Sequence, residues 1–299
     1  MSFTKDEIRR GMLLYAVTDQ SWLKEGQTLL SVCETVLANG ATFLQIREKD
    51  LDAGTFEAEA AKLKALCARY RVPYVVNDSV EIALAIDADG VHVGQSDIRG
   101  RDIRALIGPD KILGISAGTV EEAVAAEKAG ADYIGVGAVF GTSTKKNARN
   151  LTVPKLREIG NAVSIPVVAI GGIHAGNLME LRGSGVDGVA VVSAIFAAED
   201  PGRATRELLT LAREMESMND WEKDLKIYRL EQAPPKYENY QEYFERYFAE
   251  HDETYLAWFL HYYEKELNTK ARGFVTEYAM YGHFVDLKQA YVMGMMEAL

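Results

Sequence analysis

Val120-Glu-Glu-Ala-Val-Ala-Ala-Glu-Lys-Ala-Gly-Ala-Asp-Tyr-Ile-Gly-Val136 contains one complete structural unit of this chain. Residues 120–129 place apolar side chains at helical spacing, Gly130 offers a left-handed cap, and Tyr133-Ile-Gly-Val136 is a short apolar run suited to a strand covered on both faces. Similar caps occur at Asn39-Gly-Ala-Thr42 and Ser184-Gly-Val-Asp187, each just ahead of an apolar run. The runs are Leu13–Val17, Phe43–Ile46, Tyr74–Val76, Gly90–Val93, Ile112–Ile115, Tyr133–Val136, Val167–Ile170 and Gly188–Val192. Eight strands alternating with helical segments between about residues 12 and 215 predict a (β/α)8 TIM barrel rather than an open doubly wound sheet.

After about residue 216 the character changes. Residues 219–299 hold 18 of the 28 aromatic residues but only 3 of the 25 glycines. Pro234-Pro235 marks a break. Beyond it Tyr240, Tyr243, Phe244, Tyr247 and Phe248, and then Tyr255, Trp258, Phe259, Tyr262 and Tyr263, recur at helical spacing, and a third segment follows from Phe274 to about Met296. The expected organisation is therefore a barrel domain over 1–216 and a smaller all-α extension over 217–299. With 9 basic against 15 acidic residues in this tail, a nucleic-acid-binding arm is not expected.

The whole chain carries a net charge of -11, which also argues against general nucleic-acid binding. A phosphate ligand would then need locally gathered basic residues or a metal ion. No apolar run reaches the length of a membrane span, and the polar start Met1-Ser-Phe-Thr-Lys-Asp-Glu does not resemble a signal peptide. Two cysteines, Cys33 and Cys67, do not make a disulfide framework, so a reducing cytoplasm is the simplest setting.

Active sites of such barrels lie at the C-terminal ends of the strands. After the second run, Gln45, Arg47 and Lys49 alternate in Gln45-Ile-Arg-Glu-Lys49 and would project to one side, a clamp for a polyanion. Asn77-Asp78 follows the third run and Gly94-Gln-Ser-Asp97 the fourth. Two carboxylates on adjacent strand ends suit magnesium, which takes one or two carboxylates together with substrate phosphates and water. Read blandly, Asp78 would be a helix N-cap and Asp97 a turn residue. The fifth run ends in Ser116-Ala-Gly-Thr119, with Thr119 a helix cap. After the sixth, Gly137-Ala-Val-Phe-Gly-Thr-Ser-Thr-Lys-Lys146 combines glycines, the hydroxyls Thr142 and Thr144, and Lys145, a set suited to an anion. Gly171-Gly172 after the seventh run and Val192-Ser193 after the eighth offer backbone amides for a second anion. His92 reads as a packed strand residue and His174 as a turn residue, neither with a partnered Ser, Cys or His at triad or metal spacing. Changes at Thr28 or Glu59, on outer helices, are expected to stay within about 0.5 kcal/mol.

Taken in order, Gln45-Ile-Arg-Glu-Lys49, Val76-Asn-Asp78, His92-Val-Gly-Gln-Ser-Asp97, Thr142-Ser-Thr-Lys145, Ile170-Gly-Gly-Ile173 and Val192-Ser-Ala-Ile195 resemble the thiamine phosphate synthase family, over roughly residues 10–215. The resemblance implies a (β/α)8 barrel. It also implies a transferase that joins 4-amino-5-hydroxymethyl-2-methylpyrimidine diphosphate to 4-methyl-5-(2-hydroxyethyl)thiazole phosphate, giving thiamine phosphate and pyrophosphate. In that chemistry pyrophosphate leaves first, a pyrimidine-stabilised carbocation forms, and the thiazole nitrogen attacks. Carried over by motif, Gln45, Arg47, Lys49, Asn77, Ser116 and Lys145 would hold the pyrimidine diphosphate, with Arg47, Lys49, Ser116 and Lys145 as the catalytic group. Asp78 and Asp97 would bind Mg2+, and Thr142, Thr144, Gly172, Val192 and Ser193 would hold the thiazole phosphate. Small-molecule substrates, and neither a membrane nor a nucleic acid, are the implied partners. The sequence departs from the family at Ala138 and Gly141, where prolines are expected, at Gly118, where histidine is common, and in the tail, which reads as a fused gene product or a homo-oligomerisation element. Two other readings remain: a thiazole tautomerase relative, which would not need Lys49, Asp78, Asp97 and Lys145 together, and a non-enzymatic regulator that recruits a partner through the tail.

Overall fold

The computed structural model describes residues 3–141, 151–227 and 241–250, the side chains of 217–227, 241, 243, 244, 247 and 248 excepted. Its strands are β1 (Leu14–Val17), β2 (Phe43–Ile46), β3 (Tyr74–Asn77), β4 (Gly90–Val93), β5 (Ile112–Ala117), β6 (Tyr133–Gly137), β7 (Val167–Ile170) and β8 (Gly188–Val191). All neighbours are parallel, and the strands close in chain order into an eight-stranded barrel, β8 pairing with β1. Helix α1 (Lys5–Gly11) precedes β1. Helices α2 (Leu29–Ala38), α3 (Ala53–Tyr70), α4 (Val80–Ala85), α5 (Ile103–Ile107), α6 (Val120–Lys128) and α7 (Val153–Asn161) follow β1 to β6 in turn. A 3-10 turn, Leu178–Leu181, replaces a helix after β7, and α8 (Ser193–Phe196) and α9 (Pro201–Ile227) follow β8. The (β/α)8 barrel expected from the sequence is the fold.

The near-continuous apolar runs serve two cores. One set of alternate residues, Tyr15, Phe43, Val75, Ile112, Tyr133 and Val168 among them, fills the barrel interior. The other set, such as Leu14, Leu44, Val76, Leu113, Ile134 and Val189, packs with the surrounding helices. This is the period-two side-chain alternation of a strand with both faces buried.

The repeated helix-to-strand phrase has a second purpose beyond its glycine. Gly40, Gly130 and Gly185 do take positive φ, of 104, 82 and 79°. The residue just before each even strand then accepts a hydrogen bond from the start of the preceding odd strand. Thr42 Oγ1 accepts from Leu14 N at 2.8 Å, Asp89 Oδ2 from Tyr74 N at 3.1 Å, Asp132 Oδ2 from Leu113 N at 2.8 Å and Asp187 Oδ2 from Val167 N at 2.8 Å. Four side chains thus pin the register of four strand pairs at the N-terminal end of the barrel, away from the site. Arg104 balances Asp132 at 2.6 Å, and Arg9 pairs with Asp187.

Compact packing divides the chain into Met1–Asn219 and Asp220–Leu299. In the second unit α10 (Gln241–Glu250) covers most of the first aromatic-spaced segment; Pro234-Pro235 and the two later segments lie outside the described residues. Among the described residues no helix is long and apolar enough to cross a membrane.

Candidate active site

Strand ends set the depth of each candidate side chain. Gln45 lies within β2, 4% exposed, with Nε2 donating to Tyr15 Oη at 2.5 Å. The strand stops at Ile46, so Arg47 and Lys49 stand on the following loop rather than on the strand. Arg47 is half-buried and its N–H donates to Thr18 Oγ1 at 3.0 Å, while Lys49 is exposed. The three cationic and amide groups therefore run from interior to rim. Asn77 and Ser116, expected just past their strands, are the last residue of β3 and the penultimate residue of β5.

Lys49, Asn77 and Asp78 line one cavity of about 520 Å³ together with Glu48, Phe56, Ser79 and Glu81. Ser79, not Asp78, caps α4, its Oγ accepting from Ile82 N at 3.3 Å. Asp78 is thereby free of the capping role. It adopts φ 63°, a left-handed conformation that aspartate tolerates better than most residues, and its N–H donates to His92 O at 2.8 Å. Asp97 closes a turn by accepting from Gly94 N at 2.9 Å. The Asp78 carboxyl is pushed above its ordinary pKa, first because surrounding protein displaces water from it and then because the negative charge of Asp97 lies nearby. Lys49 pulls in the opposite direction. Two mutually repelling carboxyls at an open mouth are what a hard divalent cation would relieve. Among the described residues no three His, Cys, Asp or Glu side chains gather tightly enough to enclose a metal ion, so an ion here would need oxygens from substrate and water.

Two further candidate residues were missed at the sequence level. Glu48 is buried, taking a hydrogen bond from Thr18 Oγ1 at 2.5 Å and another from Gln20 N at 2.9 Å, which ties the loop after β1 to the loop after β2. Burial raises its pKa. His92, read as merely packed, does have a serine partner: its Nε2 lies 2.9 Å from Ser116 Oγ, and its Nδ1 3.0 Å from Tyr133 Oη. The pairing of His92 with Gly114 across β4 and β5 places Ser116 two residues further along the same inward face. No spacing within the sequence could show this, because the two residues are 24 apart and meet only through strand register.

Across the mouth, Gly171 and Gly172 turn at φ 105 and 68°. A Cβ on Gly172 would stand 2.4 Å from Gly141 O, and one on Gly171 2.5 Å from Ala138 Cβ. Only glycine permits this approach, which brings the end of β7 against the segment leading into Thr142. Val192 is half-buried and precedes α8, whose first residue, Ser193, is exposed. Thr142, Thr144 and Lys145 lie outside the described residues.

A family model described as thiamine monophosphate synthase matches residues 14–195, more than half of the chain. The chain belongs to the thiamine monophosphate synthase family. Thiamine-phosphate synthase of Clostridium tetani (strain Massachusetts / E88) is 46% identical over 195 residues, 65% of this chain and 93% of that protein. The enzyme of the same name from Desulfitobacterium hafniense (strain Y51) is 48% identical over 201 residues, covering 67% and 97%. Among solved structures, thiamine phosphate pyrophosphorylase from Pyrococcus furiosus matches with a TM-score of 0.64 and 39% identity, over 70% of this chain and 98% of that one. The thiamine monophosphate synthase match spans all eight strands and the residues quoted at their ends, including Val192 and Ser193, and stops before α9.

Proposed function

We propose that this chain condenses 4-amino-5-hydroxymethyl-2-methylpyrimidine diphosphate with 4-methyl-5-(2-hydroxyethyl)thiazole phosphate, giving thiamine phosphate and pyrophosphate. The carrying observation is the meeting of Asp78 with Asp97 beside Lys49, at the mouth of a barrel belonging to this family. In this reading the bond between the pyrimidine methylene and the diphosphate breaks, and pyrophosphate leaves with the electron pair. The thiazole nitrogen lone pair then forms the new C–N bond. No side chain has to act as a nucleophile.

Arg47, Lys49 and Lys145 would meet the negative charge that grows on the departing group, at fixed positions that need no reorganisation. Asp78 and Asp97 would hold Mg2+, which when bound supplies further positive charge to the diphosphate. Gln45 and Asn77 would orient the pyrimidine. Thr142, Thr144, Gly172, Val192 and Ser193 would anchor the thiazole phosphate and so aim its ring nitrogen, a gain of proximity rather than of chemistry. A cytoplasmic setting belongs to the same proposal; Cys33 and Cys67 are buried free thiols.

Magnesium-dependent pyrophosphate release tests the reaction. Release should require both heterocyclic substrates and should stop with EDTA; a full chain that releases none under these conditions rejects the reading. We assign the activity to residues 1–216. Truncation after Glu216 keeps Leu208, Ala212 and Met215, which are buried in the barrel unit, and should leave turnover intact. A soluble, folded, inactive truncation would overturn that assignment.

A further inference from the structure

We propose that Tyr15, Tyr133 and His92 are positioning residues, forming a one-way hydrogen-bond relay through the barrel interior from Gln45 to Ser116 that turns the Ser116 hydroxyl proton toward the pyrimidine diphosphate. The choice of ligand rests on the reaction proposed above; the relay itself rests on geometry.

The links are continuous. Gln45 Nε2 is 2.5 Å from Tyr15 Oη, which is 2.8 Å from Tyr133 Oη. Tyr133 Oη is 3.0 Å from His92 Nδ1, and His92 Nε2 is 2.9 Å from Ser116 Oγ. Five residues on β1, β2, β4, β5 and β6 are joined in this way. An amide nitrogen only donates, so Tyr15 accepts from Gln45 and passes its own proton to Tyr133. Tyr133 then donates to His92 Nδ1. That leaves His92 neutral with its proton on Nε2, where it donates to Ser116 Oγ. The serine proton is left for a ligand. Running the later links backwards would make Tyr15 accept twice and strand its buried proton without an acceptor, a costly arrangement.

The surroundings are built for this chain of contacts. A Cβ on Gly114 would fall 2.2 Å from Tyr133 Cζ and 2.5 Å from His92 Nδ1, and one on Gly135 3.1 Å from His92 Cε1. Glycines on β5 and β6 therefore clear the space in which the tyrosine meets the histidine. The Tyr15 ring packs 4.4 Å from Phe43 and 5.9 Å from Tyr133, which fixes both phenols. Burial raises the pKa of each, so both stay protonated. With His92 donating, Ser116 is not activated as a nucleophile. It becomes a hydroxyl donor for an anionic oxygen, the role a departing diphosphate calls for.

The test is nitrogen-15 NMR of the histidine side chains in the full chain at neutral pH. There are only five histidines, and a His92→Gln sample identifies the signal. The neutral Nε2–H tautomer is expected. An Nδ1–H tautomer, which a reversed Gln45 amide would produce, or an imidazolium overturns the relay. In the second arm, Tyr133→Phe keeps the ring and removes one link. It should raise KM for the pyrimidine diphosphate about tenfold, the scale of one lost hydrogen bond, while KM for the thiazole phosphate holds. Unchanged kinetics, or equal losses for both substrates, would refute it; Tyr15→Phe replaces this variant if it does not fold. The tautomer needs no turnover, so an inactive chain showing Nε2–H would discard the substrate reading and retain the relay.

Discussion

Gly114→Ala places one methyl group at the centre of the barrel interior, where the cost can be worked out from distances. The added carbon would stand 2.2 Å from Tyr133 Cζ, 2.3 Å from its hydroxyl and 2.5 Å from His92 Nδ1. The Tyr133 ring is fully buried and has little room to retreat, with Tyr15 and Phe43 at centroid distances of 5.9 and 5.6 Å. Overpacking a filled core costs about 1–3 kcal/mol. Separating Tyr133 from His92 also breaks a buried hydrogen bond, worth about 1–3 kcal/mol more. The sum is about 2–6 kcal/mol, which for a unit of this size lowers Tm by roughly 5–20 °C. Urea and thermal denaturation followed by circular dichroism measure it. Gly118→Ala is the control, since its added methyl meets only Glu122 Oε2 at 3.4 Å, ordinary contact, and should stay within about 0.5 kcal/mol. A Gly114→Ala protein as stable as the control would refute the packing account of the interior.

Asp78→Ala and Lys145→Ala should each lower turnover by roughly 100-fold or more, the scale of lost electrostatic stabilisation, measured by pyrophosphate release; a near-parent rate removes that residue from the mechanism. Thr28 corrects an expectation. It is the N-cap of α2, reciprocally bonded to Ser31, so Thr28→Ala should cost about 1 kcal/mol in urea denaturation instead of being neutral. Lys111 and Lys64 hold the Asp87 carboxyl down to about 2. Because the folded value is depressed, its contribution to stability is present above the ordinary 3.8 and is lost as pH falls through about 2. The stability gap between parent and Asp87→Asn should therefore close in acid, and also in 1 M salt, since the site is exposed; a gap that ignores both argues against the ion pair.

Much of the molecule was legible from local pattern. Apolar runs of three to five residues mark strands because both faces are covered, and each of the eight runs overlaps its observed strand. The ends drift where hydrogen bonding outlasts apolarity: β3 runs on to Asn77, β5 to Ala117 and β6 to Gly137. Candidate site residues could be chosen for a related reason. A barrel gathers all eight strand ends on one rim, so polar residues just past an apolar run must meet there. Thr119 could be recognised as a cap because its partner, Glu122, is three residues away.

Residue pairings that depend on register were not legible. Thr42, Asp132 and Asp187 look like spare polar residues after glycine caps, and Asp89 like an ordinary turn residue, yet each accepts from a backbone N–H at the start of a strand 15–28 residues earlier. Ser116 and His92, and Tyr15 with Tyr133 118 residues away, touch only once the barrel has closed. The chain's order alone determined which segments become strands and helices, because that choice follows from side-chain periodicity over a few residues. Which inward side chains become neighbours was decided by closure and stagger of the sheet, a property of all eight strands together.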